Sequence, residues 1–192
     1  MRKFNKEKLE KAAIALIDAL ELDLHDPNFV DTPSRIARMY DEICLPKEEI
    51  EEQVKTYLSK TFPSQYDGMV ISRGIRAYSV CGHHLLPIIL DVTLAYIPTD
   101  KVLGLSKLAR VAVTMAKRPL IQEDYTRDLA RIMMAVLKPK GVGIYVEGVH
   151  YCQTMRGAMQ RDAIMTTTEV LGCFRKDEKT RSEFLLEART RV

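Results

Sequence analysis

The sequence predicts an α+β fold, a helical N-terminal region followed by a domain that mixes strands and helices. Three observations carry this. Apolar residues recur at helical spacing through the first quarter of the chain. Beyond residue 66 the pattern changes to the two-residue alternation of strands. The elements that follow come in the order strand, strand, helix, helix, strand, strand. We place the division at residues 1–66 and 67–192.

Leu9, Ala13, Leu16, Ile17 and Leu20 mark the first helix, and Asp26-Pro27-Asn28 breaks it. Asp31-Thr32-Pro33 opens a second helix, with Asp31 or Thr32 as cap and Pro33 in the first turn. That helix runs to Ile43, and a weaker helical stretch covers residues 47–57. Residues 61–68 are rich in turn formers and read as a connection. Residues 69–78 and 88–97 read as strands. The second has Ile88, Leu90, Val92, Leu94 and Tyr96 on one face and Asp91 and Thr93 on the other. Residues 105–117 are helical, with Leu105, Leu108, Ala112 and Met115 on the apolar side. Leu129, Ile132, Met133 and Val136 mark the next helix, which Lys138-Pro139-Lys140-Gly141 ends. Residues 142–152 and 164–170 supply two more strands, and a short charged helix from about residue 179 closes the chain.

A chain of 192 residues fits one domain with a helical extension. Its net charge is only +3, so nothing suggests a general nucleic-acid or membrane binder. The charged start, Met1 to Lys8, has no apolar core of signal-peptide type, and no run reaches membrane-spanning length. Four Cys without a secretory signal read as cytosolic thiols, so the expected location is the cytoplasm. Cys44 and Cys173 are assigned no site role, and His25 reads as a loop residue.

The chemistry gathers in Cys81-Gly82-His83-His84-Leu85-Leu86-Pro87 and in His150-Tyr151-Cys152. Zinc takes thiolate and imidazole, and a catalytic zinc has three protein ligands and one place for water. Cys81, His84 and Cys152 supply three such ligands, which predicts a Zn2+ cofactor. His83 and His150 remain beside them as acid–base groups. On a strand, His150 and Cys152 would share a face with Tyr151 opposite. Gly104-Leu105-Ser106-Lys107 opens a helix, with Ser106 as a good cap and N–H groups that favour an anion. Lys107 and Arg110 are one turn apart and can face the same anion, though a solvated basic face is the plainer reading of that helix alone. Arg35 and Arg38 repeat the spacing, and Arg156 follows the second cluster closely. Gln122 and Glu123 are ordinary helix-start residues, or a carboxylate aimed at a base's N–H donors.

The combination resembles the GTP cyclohydrolase I family. The matching stretches are Asp31-Thr32-Pro33-x-Arg35, Cys81 to Pro87, Ala95 to Pro98, Gly104 to Arg110, Arg118-Pro119-x-x-Gln122-Glu123, His150-Tyr151-Cys152 and Arg156-Gly157. Leu171 to Arg175 and Thr180-Arg181-x-Glu183-Phe184-Leu185 extend the match to the C-terminal tail. Family members usually carry Glu where this chain has Gly82, and the chain also departs from them near Gly74, Leu90-Asp91 and Ala163.

The resemblance implies a tunnelling fold: a four-stranded antiparallel sheet carrying two helices, preceded by the helical region. It implies conversion of GTP and water to 7,8-dihydroneopterin triphosphate and formate, the entry to pterins and folate. It also implies a homo-oligomer of stacked rings, a decamer, with sites at subunit interfaces and no nucleic-acid or membrane partner. By position, Cys81, His84 and Cys152 match the zinc ligands, and His83 and His150 the acid–base histidines. Glu123, with Gln122, matches the guanine-recognition position. Ser106, Lys107, Arg110, Arg156, Arg35 and Arg38 match positions along the ribose-triphosphate end. Two other readings stay open: a divergent tunnelling-fold enzyme acting on another purine or pterin, and a non-catalytic zinc-bearing ring that binds nucleotide.

Overall fold

A computed structural model describes residues 4–190. The outer ends of the two predicted regions, residues 1–3 and 191–192, lie outside the described residues. The chain forms two compact units that meet in sequence between Glu49 and Ile50.

The N-terminal unit contains α1 (Lys6–Ala19) and α2 (Thr32–Ile43), and α3 (Lys47–Leu58) carries the boundary. Asn5 caps α1, its side chain accepting the Lys8 N–H at 2.9 Å. Asp31 precedes α2 without a side-chain cap, and Pro33 stands in the first turn as predicted. The α1 stripe is narrower than its periodicity suggests. Ala13 and Ile17 are buried, whereas Leu16 and Leu20 are 57% and 62% exposed. A pair of helices buries only the stripe where they touch, and Leu16 and Leu20 fall beside it.

In the second unit, α3 buries Ile50, Val54 and Leu58. The segment expected as a connection instead starts with a short strand, β1 (Thr61–Pro63). Next come β2 (Val70–Cys81), β3 (Pro87–Ile97) and β4 (Lys101–Leu103), and β4 pairs antiparallel with β1. Then follow α4 (Leu105–Ala116), β5 (Pro119–Leu120), α5 (Gln122–Leu137), β6 (Gly141–His150), α6 (Tyr151–Thr154), β7 (Met165–Gly172), α7 (Cys173–Lys176) and α8 (Glu178–Arg189).

The main sheet has the order β5-β2-β3-β6-β7. Its four long strands are antiparallel, and the two-residue β5 adds a parallel bridge at Val80 and Cys81. This is the α+β tunnelling-fold architecture expected from the sequence, with two short ladders added. The apolar face predicted for β3 holds, with Ile88, Leu90, Val92, Leu94 and Tyr96 all fully buried, while Thr93 and Ala95 on the other face are buried too. So are Leu108 and Ala112 of α4 and Leu129 and Met133 of α5. Leu105, expected on that apolar side, is the first residue of α4 and is 85% exposed.

A smaller core lies under the C-terminal helices. Phe174 and Phe184 meet edge to face, with ring centroids 5.6 Å apart, against Ala95 and Tyr145. The Phe184 ring lies on Gly143, where a Cβ would come within 2.9 Å of it. This second cover explains why β6 is buried along both faces from Gly141 to Val146. No helix among the described residues is long and apolar enough to cross a membrane.

Candidate active site

The first cluster is built on a strand end. β2 runs three residues beyond its predicted limit, so Cys81 is its last residue and is buried. Two backbone bonds close the turn after it: Cys81 N–H donates to Leu86 O, and Leu85 N–H donates to Cys81 O, each at 2.8 Å. Gly82 N–H donates to Leu120 O at 2.9 Å, tying the turn to β5. Leu85 takes a left-handed conformation with φ of 55°. An L side chain there costs roughly 1–2 kcal/mol, and the bonds on either side hold it in place. The tight turn brings both histidines back to Cys81. Its Sγ lies 3.7 Å from His83 Nδ1 and 4.0 Å from His84 Nδ1.

The second cluster departs from the strand geometry expected for it. β6 ends at His150, and Cys152 lies in the one-turn helix α6. Strand alternation therefore does not relate the two side chains. The β3–β6 ladder pairs Ile88 with His150, so the end of β6 comes beside the residues that leave the first turn. Cys152 Sγ stands 3.7 Å from Cys81 Sγ.

Cys81, His84 and Cys152 each present a ligand atom, all within 4.8 Å of one another. A tetrahedral zinc with metal–sulfur bonds of about 2.3 Å has sulfur–sulfur edges of about 3.8 Å, so these residues fit the ion. Burial, followed by the neighbouring Cys81 sulfur, pushes the Cys152 thiol up. A divalent metal at these atoms would supply the positive charge that favours the Cys152 thiolate.

His150 is held below the ordinary histidine value by burial, while the Glu123 carboxylate works in the opposite direction. Its Nε2 is 2.8 Å from Gln122 Oε1. Gln122 begins α5, yet it is only 1% exposed, and its amide nitrogen is used inside the protein. The two residues expected together at the substrate thus turn their side chains to different sides. Glu123 is exposed, whereas Gln122 packs inward on His150 and the last two strands.

The predicted cations fall into separate groups. Gly104, rather than Ser106, is the N-cap of α4, because the helix already begins at Leu105. Ser106 is therefore inside the first turn. Lys107 Nζ and Arg110 Cζ lie 5.8 and 5.9 Å from the centre of the Tyr57 ring, so one aromatic face of α3 gathers both. Sequence reasoning missed Tyr57, since one aromatic in a weak amphipathic helix does not signal which cations stack on it. Arg156 is exposed and donates to His84 Nε2 at 2.6 Å. Arg35 and Arg38 are exposed in the N-terminal unit, and Arg35 pairs with Asp31 at 3.5 Å.

Comparison with known proteins gives a consistent picture. The family model described as GTP cyclohydrolase I matches residues 9–189 of this chain. A protein named GTP cyclohydrolase 1 from Bacillus cereus (strain B4264) is 40% identical over 192 residues, covering 100% of both chains. One of the same name from Clostridium perfringens (strain 13 / Type A) is 39% identical over 179 residues, 93% of this chain and 95% of its own. Among solved structures, an archaeosine synthase QueF-Like protein in the apo form is similar over 54% of this chain and 93% of its own, at 20% identity and a TM-score of 0.45.

Proposed function

Since the chain belongs to the GTP cyclohydrolase I family, we propose that it is a zinc-dependent hydrolase that converts GTP and water to 7,8-dihydroneopterin triphosphate and formate. The observation that carries this reading is the convergence of Cys81, His84 and Cys152 from two distant parts of the chain, with His83 and His150 beside them. These three residues would hold the metal. When bound, zinc supplies the Lewis acidity that makes water a nucleophile near neutral pH.

The protein's own groups do the rest. His83 and His150 move protons: one to the guanine imidazole ring, which makes its C8 electrophilic, and others as the ring opens and the ribose rearranges. Burial keeps His150 in its neutral form at pH 7, ready to accept. Glu123, exposed beside His150, receives the guanine N–H donors. Ser106, Lys107, Arg110 and Arg156 meet the triphosphate, and Arg35 and Arg38 serve the same end of the substrate. Arg156, exposed and 2.6 Å from His84 Nε2, stands beside the residues that would hold the metal, where its guanidinium can meet an anion.

The domain that does this chemistry is residues 67–192, and the protein works in the cytoplasm. It assembles as a homo-oligomer, in stacked rings that form a decamer. Two features support assembly. β7 is an edge of the sheet, and β5 covers β2 only at Val80 and Cys81. Long open edges seek partners. Light scattering that finds an active monomer would overturn the assembly.

The reaction is tested by incubating the purified protein with GTP and recording ultraviolet and fluorescence spectra alongside a formate assay. Equal amounts of formate and of a fluorescent pterin, after oxidation of the product, are expected. Metal-replete protein that releases no formate would sink the proposal.

A further inference from the structure

The geometry assigns Gln122 as a positioning residue whose amide oxygen keeps the ring hydrogen of His150 on Nε2, leaving Nδ1 as the basic nitrogen. The assignment follows from hydrogen bonds that can run in only one direction. Gln122 Nε2 lies 3.2 Å from Val146 O and 2.9 Å from Met165 O. Both are backbone carbonyls and can only accept. The amide nitrogen must therefore be on that side, which turns Oε1 toward His150 Nε2 at 2.8 Å. An amide oxygen only accepts, so His150 Nε2 must carry the hydrogen.

Two threonines lock the same orientation. Thr126 Oγ1 donates to the backbone oxygen of Gln122 at 2.8 Å, which uses its only hydrogen. The 2.6 Å contact between Thr126 Oγ1 and Thr167 Oγ1 is then donated by Thr167. That leaves the Thr167 oxygen, 3.1 Å from Gln122 Nε2, to share one of the amide's two hydrogens with a carbonyl. Flipping the amide would set its oxygen against two carbonyls. Gly148 makes room for the arrangement: a Cβ there would overlap Gln122 Oε1 and come within 3.1 Å of His150 Nε2.

The consequence concerns the base. A neutral imidazole has one nitrogen with a free lone pair, and its partner's hydrogen bond decides which. Gln122 decides it here, and it does so without touching substrate. The assignment rests on the proposed reaction only for the use made of Nδ1.

The direct test is solid-state nitrogen NMR of protein labelled at histidine, which has only four positions to resolve. Spectra are taken near pH 8, about 1.5 units above the reference histidine value, with a His150→Asn variant to assign the signals. Wild-type His150 should be hydrogen-bearing at Nε2. Gln122→Leu and Gly148→Ala should give a mixture with the Nδ1–H form. With GTP, Gln122→Leu should lower kcat by about 10- to 100-fold at unchanged KM.

A wild-type His150 with hydrogen on Nδ1 overturns the assignment, and so does a Gln122→Leu spectrum like the wild type. A loss confined to KM would make Gln122 a substrate contact instead. If Gln122→Leu does not fold, the wild-type and Gly148→Ala spectra still decide. A protein with the expected spectrum and no GTP turnover would refute the cyclohydrolase reading and leave this assignment standing.

Discussion

The hydroxyl of Tyr96 accepts the backbone N–H of Leu103 at 2.8 Å, inside the protein. Tyr96 is near the end of β3, and Leu103 is the last residue before the α4 cap. The bond therefore fixes the point from which α4, with Ser106, Lys107 and Arg110, leaves the sheet. Tyr96→Phe leaves that N–H buried without an acceptor, at a cost of about 1–3 kcal/mol. The denaturation midpoint in urea should fall with an unchanged slope. A midpoint equal to the wild type would mean that water replaces the hydroxyl freely.

Metal content should separate the two neighbouring histidines. His84→Ala and Cys152→Ala should be purified without stoichiometric zinc, because two protein ligands hold the ion poorly. His83→Ala should keep zinc and GTP binding and lose ring opening. His83 Nδ1 is as near Cys81 as any ring nitrogen here, so the reverse result is a real alternative. A metal-free His83→Ala beside a loaded, active His84→Ala would exchange their roles.

Lys107→Ala, Arg110→Ala and Arg156→Ala should each weaken GTP binding by about tenfold or more, the scale of a lost bond to a charged group. Guanosine, which has no phosphate, should bind these variants as it binds the wild type. Titration calorimetry with both ligands makes the comparison. Equal losses for the two would remove the cations from the triphosphate.

Asp177 caps α8, accepting from the backbone N–H of Thr180 at 2.9 Å and from its hydroxyl. These bonds, the hydroxyl's first, hold its carboxyl below the ordinary aspartate value of 3.8. A lowered folded-state value means the unfolded chain takes up the proton first as pH falls. The cap's contribution is thus complete above pH 3.8 and fades as pH drops through the lower folded value. Asp177→Ala should reduce the melting temperature at neutral pH, with the gap narrowing below pH 3.8. A gap that widens in acid would contradict the cap.

Much of this was legible in the sequence, for physical reasons. The long strands β3 and β6 and the helices α2 to α5 each span enough residues for a period to show. Cys81 and His84 were legible because their spacing suits one ion. What could not be read was short or inward-turned. Three residues at Thr61–Pro63 and three at Lys101–Leu103 give no alternation, so their ladder was invisible. Three residues from His150 to Cys152 fit a strand or a helical turn equally well, and only the structure chose the turn. Gln122 is polar at a helix start, which suggests exposure. Its burial depends on a gap that Gly148 leaves on another strand, and no local pattern reports that.

The strand between the two cysteines has a further consequence. Cys81 ends β2 and Cys152 follows β6, and β3 separates those strands while contributing no ligand to the group. Their meeting depends on two registers at once, Val80 opposite Pro87 and Ile88 opposite His150. A slip of one residue in either ladder displaces a sulfur by about 3.3 Å and turns its strand's side chains to the opposite face. The three donors then cannot close on one ion. The group is thus a checksum on the sheet: a metal held by all three donors would report molecules whose strands have paired correctly.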